Sequence, residues 1–381
     1  MMNHLTNVSM KLLNRPLNLS LLIMIPALVA GVALAQPTSS EPSTSTPQSN
    51  KATALPISKD QAAELIARER AARTSSEQAQ VRVWNVNPVF FSLPQAIGGR
   101  QIRYYGVLYA VALMGAYMLW QWQIMRSGRS RERAERFLMI AVAAVLVGAR
   151  VGHCLFYDPS YYLSHPLEII KFWEGGLASH GATITLLLTL VYYARTEDMT
   201  VRETFDRFAI GVSWAASIIR LGNLMNSEIV GRETTSAVGV KFPLHDLSNE
   251  TICYGCDTPN AIATCVKVAR GAKEYCVDLA EVPHRHPSQV YEFLMGMIIF
   301  VTLITVDRLM GREDRPVGLL GGLFLVLYFT GRFIVEEFKE YQALEASSSA
   351  LTMGQYLSIP FVTIGLGMLF VAYRRHTTRE A

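Results

Sequence analysis

The most constraining feature of this sequence is a series of about seven long apolar stretches after residue 100, separated by shorter polar loops. A stretch of ~20 apolar residues is long enough to cross the ~30 Å hydrocarbon layer of a membrane as a helix. A helix satisfies its own backbone hydrogen bonds, so lipid tolerates it. The sequence therefore predicts an all-α polytopic membrane protein with about seven transmembrane helices, at roughly 102–122, 137–157, 175–194, 208–226, 289–306, 317–335 and 354–373.

Arginines are concentrated in every second loop and in the C-terminal tail. Cytoplasmic loops of membrane proteins carry an excess of Lys and Arg, which sets their orientation. The pattern therefore predicts a multi-pass protein of the cell membrane with its N-terminus outside and its C-terminus in the cytoplasm. The residues concerned are Arg126, Arg129, Arg131, Arg133 and Arg136, then Arg195, Arg202 and Arg207, then Arg308, Arg312 and Arg315, and finally Arg374, Arg375 and Arg379.

The N-terminus has the pattern of a secretory signal. Basic residues Lys11 and Arg15 precede the apolar run 21–35, which ends in Ala33-Leu34-Ala35, a small-x-small cleavage site. An uncleaved anchor is the alternative.

The residues that follow the predicted signal are rich in Ser, Thr and Pro and cannot form a core. The predicted organisation is a signal peptide at 1–35, a flexible extracytoplasmic extension at 36–87, a seven-helix catalytic domain at 88–375 and a cytoplasmic tail at 376–381.

Four of the five cysteines, Cys253, Cys256, Cys265 and Cys276, fall in the extracytoplasmic loop predicted at 227–288. Disulfides persist on the oxidising side of a membrane, so two bridges are expected. A zinc site is the rival interpretation, but only one Cys-x-x-Cys pair is present, and no metal is predicted. Cys154 lies alone in a span and is expected to be core.

Several spans carry an ionisable or polar residue near their outer end. A charged residue inside a span costs ~2.5–3.5 kcal/mol or more, so each one needs a reason. Arg220, Asn223 and Asn226 are three residues apart and would share one face of a helix, as would Arg332 and Glu336 at a spacing of four. Two more candidates, His180 and Tyr105, begin the third and first spans.

These residue types suit the binding of a lipid phosphate. A guanidinium offers five fixed donors to a phosphate and keeps its charge, and a neutral histidine can accept a proton near neutral pH. Each residue also has a simpler explanation: an arginine that reaches the membrane surface, an Arg332–Glu336 ion pair, or a core histidine. Spacing alone therefore predicts a polar, outward-facing membrane site, which could equally be that of a lipid or solute transporter.

The same residues carry a resemblance to a known family. The most specific pieces are the Arg-Leu-Gly-Asn stretch and the His-Pro-Ser-Gln element. Together, over roughly 88–375, the chain resembles prolipoprotein diacylglyceryl transferases. The pieces are Tyr104-Tyr105-Gly106-Val107-Leu108-Tyr109; Gly148-Ala149-Arg150-Val151-Gly152 with Phe156-Tyr157; Trp173-Glu174-Gly175-Gly176 with His180-Gly181; Arg220-Leu221-Gly222-Asn223 with Asn226, Glu228 and Gly231-Arg232; His286-Pro287-Ser288-Gln289-Val290-Tyr291-Glu292; and Tyr328, Arg332, Glu336 and Met353-Gly354-Gln355.

The chain also departs from the family pattern. Ala182 and Ser227 stand where the family usually has glycine. Both are small, so packing is expected to survive. The N-terminal extension and the four-cysteine loop lie outside the family core, which leaves partner or substrate preference open.

The resemblance implies transfer of diacylglyceryl from phosphatidylglycerol to the lipobox cysteine of a prolipoprotein, in the bacterial inner membrane. It implies no cofactor and no nucleic acid. Tyr291 and Glu292 are expected to brace helix packing, Gly231 to permit a tight turn, and Gly321, Gly322 and Gly331 to leave a lateral gap or to pack helices. The implied catalytic residues are His180, Arg220, Arg332 and Tyr105, and the implied substrate-binding residues are Arg220, Asn223, Asn226, Glu228, Gly231, Tyr328, Arg332 and Glu336.

Overall fold

The structure is a computed structural model that describes residues 82–94, 99–172, 175–248, 251–253, 256, 265–340 and 351–380. The predicted signal peptide, almost all of the extension, and Trp173 and Glu174 of the family motif lie outside the described residues. The part that is described contains the whole candidate site.

The described chain is mostly helical, which confirms the predicted fold class. Six of its helices are long and apolar enough to cross a membrane. The third predicted span also forms a helix, Ser179–Thr196, but it has 18 residues and is not among the six. The helices are α1 (Tyr104–Arg126), α2 (Arg131–Phe156), α3 (Pro159–Ser164), α4 (Ser179–Thr196), α5 (Val201–Met225), α6 (Ser288–Leu309), α7 (Leu319–Val335) and α8 (Met353–Glu380).

Three small antiparallel sheets of two strands each stand at one end of the helices. The first lies just before α1, and the other two belong to the segment between α5 and α6, which we call the head. The strands are β1 (Val89–Ser92) with β2 (Gln101–Arg103), β3 (Val240–Lys241) with β6 (His284–Arg285), and β4 (Cys265–Arg270) with β5 (Lys273–Asp278).

The basic loops meet at the opposite end. Arg126 at the end of α1 pairs with Asp307 at the end of α6, at 2.6 Å. Arg207 at the start of α5 pairs with Glu313 of the loop between α6 and α7, also at 2.6 Å. The loops that the arginine pattern assigned to one side of the membrane are therefore joined at one end of the bundle, which we call the basic end.

The apolar core lies among α5, α6 and α7. Ile210, Leu303 and Leu320, one from each helix, are fully buried there. A second apolar cluster joins α1, α2 and α4 and includes Trp120, Phe137 and Tyr193, close to the basic end. These two clusters hold the helices in the positions from which the polar residues of the site project.

Glycines in the spans serve helix packing. A Cβ atom at Gly321 would lie 2.5 Å from the Phe205 ring, and one at Gly331 would lie 2.3 Å from the Met295 sulfur. Gly322 likewise faces the Gly365 carbonyl at 3.0 Å. Of the two expected roles, close packing is the one observed, because no room is left beside these glycines.

Both predicted disulfides are confirmed. Cys253 bonds to Cys265, and Cys256 bonds to Cys276. The bridges therefore tie the segment between β3 and β4 to both strands of the β4–β5 hairpin. Cys154 is a free, buried cysteine in α2, as expected.

Candidate active site

The two arginines lie at one depth in the bundle. Asp206 near the start of α5 accepts hydrogen bonds from the backbone N–H groups of Gly318 and Gly321 at the start of α7, both at 2.7 Å. From that shared contact α5 and α7 run in the same direction toward the head. Arg220 and Arg332 each follow about four turns later, roughly 20 Å away at ~1.5 Å per residue.

Arg220 is held by a polar network. Its Nε lies 3.0 Å from Oε2 of Glu292 on α6, and its Nη1 donates to Oδ1 of Asn223 at 3.3 Å. The other Glu292 oxygen, Oε1, lies 3.6 Å from Nζ of Lys339. Lys339 Nζ also lies 3.8 Å from Glu336 Oε2. Glu292, Glu336 and Lys339 are all buried, so the network is built into the protein rather than exposed on its surface.

Arg332 is half-buried and differs from Arg220 in its contacts. Among the described residues no carboxylate pairs with its guanidinium. The Arg332–Glu336 ion pair considered from the sequence is therefore wrong, because α7 ends at Val335 and Glu336 starts a 3-10 turn that brings it toward Lys339. Tyr328, one turn before Arg332, stacks on Phe324 at 5.3 Å between ring centroids.

The chain leaves α5 through a tight polar turn. Asn226 Nδ2 donates to Glu228 Oε1 at 3.3 Å, and Gln289 Nε2 donates to the Glu228 backbone oxygen at 2.7 Å. Ser227 and Ile229 have φ values of 55° and 56°, in the left-handed region. The family glycine that Ser227 replaces would take this conformation without strain, so the substitution matters for backbone conformation rather than for packing.

Gly231 serves a close approach of backbones rather than the tight turn that was expected. Its N–H donates to the His286 carbonyl at 2.8 Å. A Cβ atom there would lie 2.4 Å from the Phe338 carbonyl oxygen and 2.6 Å from His286. Only glycine lets the three segments that carry Glu228, Glu292 and Lys339 meet at this point.

Charged and polar groups of several segments act on Glu228. Burial raises the pKa of the Glu228 carboxyl, while the Asn226 hydrogen bond, the positive charges of Arg103 and Arg270, and the Asn223 amide act in the opposite direction. Tyr105 lies close enough to feel the charges of both Glu228 and Arg220. Its ring also packs on Gly222, where an added Cβ would lie 3.0 Å from Tyr105 Cδ2. Tyr105 therefore belongs to the same group as Arg220.

His180 lies at the head end but in a different environment. It is exposed at the start of α4, where its ring stacks on Tyr157 at 5.9 Å and meets Phe156 edge-on at 5.6 Å. No contact among the described residues joins it to Arg220 or Glu228. The structure therefore brings together Arg220, Asn223, Asn226, Glu228 and Tyr105, and leaves His180 apart from them.

Sequence reasoning missed two members of the network. Glu292 was expected to brace helix packing, yet it directly contacts Arg220. Lys339 received no role, although it is a lysine in a loop on the side where the positive-inside rule disfavours one. An ionisable residue near the end of an apolar span was the available signal for Glu292.

Arg150 is a third residue whose role only the structure reveals. Its guanidinium is buried and donates to four backbone oxygens: Ile169 at 2.9 Å, Glu168 at 2.5 Å, Gly175 at 2.6 Å and Gly176 at 3.3 Å. Gly175 and Gly176 have positive φ values. Arg150 thus fixes the loop that leads into α4 and positions His180.

No metal-binding cluster of three or more His, Cys, Asp or Glu side chains occurs among the described residues. The site is instead made of guanidinium, amide, carboxylate and phenol groups. The guanidinium, amide and phenol groups can donate to an anionic oxygen ligand, and the carboxylate and amide oxygens can accept from its hydroxyl groups.

Comparison with known proteins agrees with this chemistry. Residues 88–371 match the family model described as prolipoprotein diacylglyceryl transferase. A phosphatidylglycerol–prolipoprotein diacylglyceryl transferase from Tolumonas auensis is 34% identical over 76% of this chain and 96% of its own length. Enzymes of the same name from Bacteroides fragilis and Porphyromonas gingivalis are 35% and 33% identical, over 75% and 78% of this chain and 94% and 96% of theirs. The chain therefore belongs to the prolipoprotein diacylglyceryl transferase family.

Proposed function

We propose that this protein transfers the diacylglyceryl group of phosphatidylglycerol to the lipobox cysteine of a prolipoprotein. The thiolate sulfur attacks the glycerol carbon that carries the phosphate ester. A carbon–sulfur bond forms as the carbon–oxygen bond breaks, and its electron pair leaves with glycerol phosphate. The product is a thioether, and the thiol proton passes to a base.

The contrast between the two arginines carries the proposal. Arg220 is held by Glu292 and Asn223, whereas half-buried Arg332 lacks a carboxylate partner among the described residues. A guanidinium at membrane depth needs a counter-charge, and a lipid phosphodiester supplies one. Two guanidinium groups at one depth would also stabilise the negative charge that grows on the leaving phosphate.

The other polar groups around Arg220 suit the rest of the headgroup. Asn223, Asn226 and Glu228 offer amide and carboxylate oxygens beside the arginine. A glycerol headgroup carries two hydroxyls that can donate to such oxygens. We assign these three residues, with Tyr328 and Glu336, to substrate binding, and Gly231 to holding their segments together.

Two residues are candidate bases for the thiol, whose ordinary pKa is ~8.5. His180 is exposed at the head end, where a second membrane-anchored substrate would arrive. Tyr105 lies within the Arg220 group itself. We keep His180 as the first candidate because neutral imidazole accepts a proton near neutral pH, with Tyr105 or a glutamate second.

The proposed orientation places the head and its disulfides outside the cytoplasm and the basic end inside, in the inner membrane of a bacterium. The arginine-rich loops that meet at the basic end support it. The lipobox cysteine of an exported precursor would then reach the candidate site from the outer leaflet, on the same side as phosphatidylglycerol.

A single experiment tests the reaction. Full-length protein in phosphatidylglycerol vesicles is incubated with a lipobox peptide, and the peptide mass is measured. We expect a gain of one diacylglyceryl group, and no gain with phosphatidylcholine vesicles or with a peptide whose cysteine is replaced by serine. An unmodified peptide, with lipid or solute moving across the vesicle membrane instead, would support the transporter alternative and refute the transferase.

A further inference from the structure

The imidazole of His180 lies at the end of a series of stacked rings. It is nearly parallel to the Tyr157 ring, with 5.9 Å between the ring centroids and 16° between the planes. The Phe156 ring meets it edge-on at 5.6 Å. His180 is exposed, and these two rings at the end of α2 restrict the orientations that its side chain can take.

The series of rings continues from Tyr157 into the protein. The Tyr157 ring is also nearly parallel to the His153 ring, at 5.1 Å and 19°. His153 meets the Tyr162 ring edge-on at 6.0 Å, and the guanidinium carbon of Arg150 lies 5.2 Å from the centre of the Tyr162 ring. Arg150 is buried and donates to four backbone oxygens. The stack that reaches His180 therefore starts from a fixed side chain.

The backbone that leads to His180 is fixed on α2 separately. A Cβ atom on Gly176 would lie 2.6 Å from Nε2 of His153, so the loop packs directly on that ring. Further along, the Ala178 N–H donates to the Ala149 carbonyl of α2 at 2.8 Å. Loss of the stacking on His180 would therefore free its side chain and leave the surrounding backbone in place.

The orientation of His180 matters for the role proposed above. A base must lie within hydrogen-bond reach of the proton that it takes, and in a suitable direction. An exposed imidazole without neighbouring rings would be spread over several rotamers. No contact among the described residues joins His180 to the Arg220 group, so its orientation has to come from the rings of α2.

We propose that Tyr157 is a positioning residue for His180. Its ring holds the imidazole in the orientation in which the unprotonated nitrogen takes the proton of the lipobox thiol. The resulting thiolate then attacks the glycerol carbon, as in the proposed reaction. The phenol hydroxyl takes no part, because the contact is made by the ring. This inference rests on the proposed function, with His180 as its base.

The test compares Tyr157→Leu, which removes the ring, with Tyr157→Phe, which keeps it. Tyr157 is 63% exposed, so both variants should fold. Full-length proteins are assayed in phosphatidylglycerol vesicles with the lipobox peptide. We expect Tyr157→Leu to lower kcat about three- to tenfold, the scale of one aromatic contact, with KM for phosphatidylglycerol unchanged because that lipid binds at Arg220. Tyr157→Phe should keep the wild-type kcat.

Two further variants show whether the effect passes through the imidazole. Tyr192→Leu is the matched control, because Tyr192 is also exposed and lies on α4 about three turns from His180. It should match the wild type. In a His180→Asn background, Tyr157→Leu should lower kcat no further, because both changes remove the action of one imidazole.

Several outcomes would overturn the inference. These are an unchanged kcat in Tyr157→Leu, an equal loss in Tyr192→Leu, a further loss in the His180→Asn background, or a fully active His180→Asn enzyme. Equal losses in Tyr157→Phe and Tyr157→Leu would overturn it as well, since they would assign the role to the hydroxyl. If the wild type itself leaves the peptide unmodified, the proposed function fails instead.

Discussion

The arginines of the spans near the head and the arginines of the basic end differ in how they are paired. At the basic end Arg126 pairs with Asp307 and Glu313, Arg207 pairs with Glu203 and Glu313, and Arg315 pairs with Asp307. At the head end Arg220 has one carboxylate partner and Arg332 has none among the described residues. Basic side chains at both ends are wholly or partly removed from water.

The difference separates architecture from chemistry. A guanidinium paired with carboxylates has its donors occupied, so it joins helices and loops but binds little else. A guanidinium at membrane depth whose donors are not all paired with carboxylates can bind an anion. The comparison therefore predicts that substitutions at the basic end reduce stability, whereas substitutions at the head end reduce activity.

The largest expected effect is on activity at the head end. Arg220→Lys should lower kcat/KM for transfer at least about a hundredfold. The compact lysine ammonium cannot contact Glu292 and a phosphate at the same time, as the planar guanidinium can. Peptide mass in phosphatidylglycerol vesicles measures it. Arg126→Lys is the matched control and should retain activity per folded molecule. A fully active Arg220→Lys enzyme would remove Arg220 from the mechanism.

The next effect is on stability at the basic end. Asp307 is fully buried and accepts from both Arg126 and Arg315. Asp307→Asn leaves these two cations without their shared carboxylate, which should cost about 3 kcal/mol of unfolding free energy. Denaturant unfolding in detergent measures the loss. Unchanged stability, or a loss of activity in molecules that remain folded, would break the proposed division between the two ends.

A smaller effect should follow from loosening Arg220 without replacing it. Glu292→Gln removes the charge that pairs with Arg220 at 3.0 Å and Lys339 at 3.6 Å. We expect about a tenfold lower kcat/KM, because Arg220 loses the ion pair that fixes its guanidinium. Glu281→Gln, an exposed head carboxylate, serves as control. Equal activity in the two variants would leave Glu292 with helix packing alone.

The smallest effect concerns strain beside the site. Ser227 adopts a φ of 55°, which costs a residue with a side chain more than it costs glycine. Ser227→Gly should raise the free energy of unfolding by up to about 1 kcal/mol, while Ser248→Gly, outside the left-handed region, should lower it. Thermal denaturation in detergent compares them. A destabilised Ser227→Gly would show that the side chain outweighs the strain.

Much of the fold could be predicted because the membrane imposes simple rules on sequence. Span length reflects the hydrocarbon layer, and the arginine pattern grouped the loops that meet at the basic end. The third span was the hardest to judge, because α4 has only 18 residues and begins with Ser179 and His180. The two disulfides could be predicted from four cysteines in one loop, but their connectivity could not.

The site was predicted in part. Helical spacing correctly joined Arg220 and Asn223, because both lie within one regular helix. The same rule failed for Arg332 and Glu336, because the helix ends between them. A tight turn was predicted at Gly231, whereas the structure shows a close approach of three backbone segments. Such an approach joins segments that are distant in sequence, so no local sequence pattern predicts it.

By itself, the sequence determined what the membrane and the local chain dictate: which segments are helices, which loops share a side, and which polar residues reach one depth. The tertiary structure alone decided the partners from other segments: Glu292 of α6 pairs with Arg220, and Lys339, not Arg332, pairs with Glu336. Hydropathy and helical spacing act within one segment, whereas each of these contacts joins side chains of different segments, whose relative positions depend on the packing of the whole bundle and head.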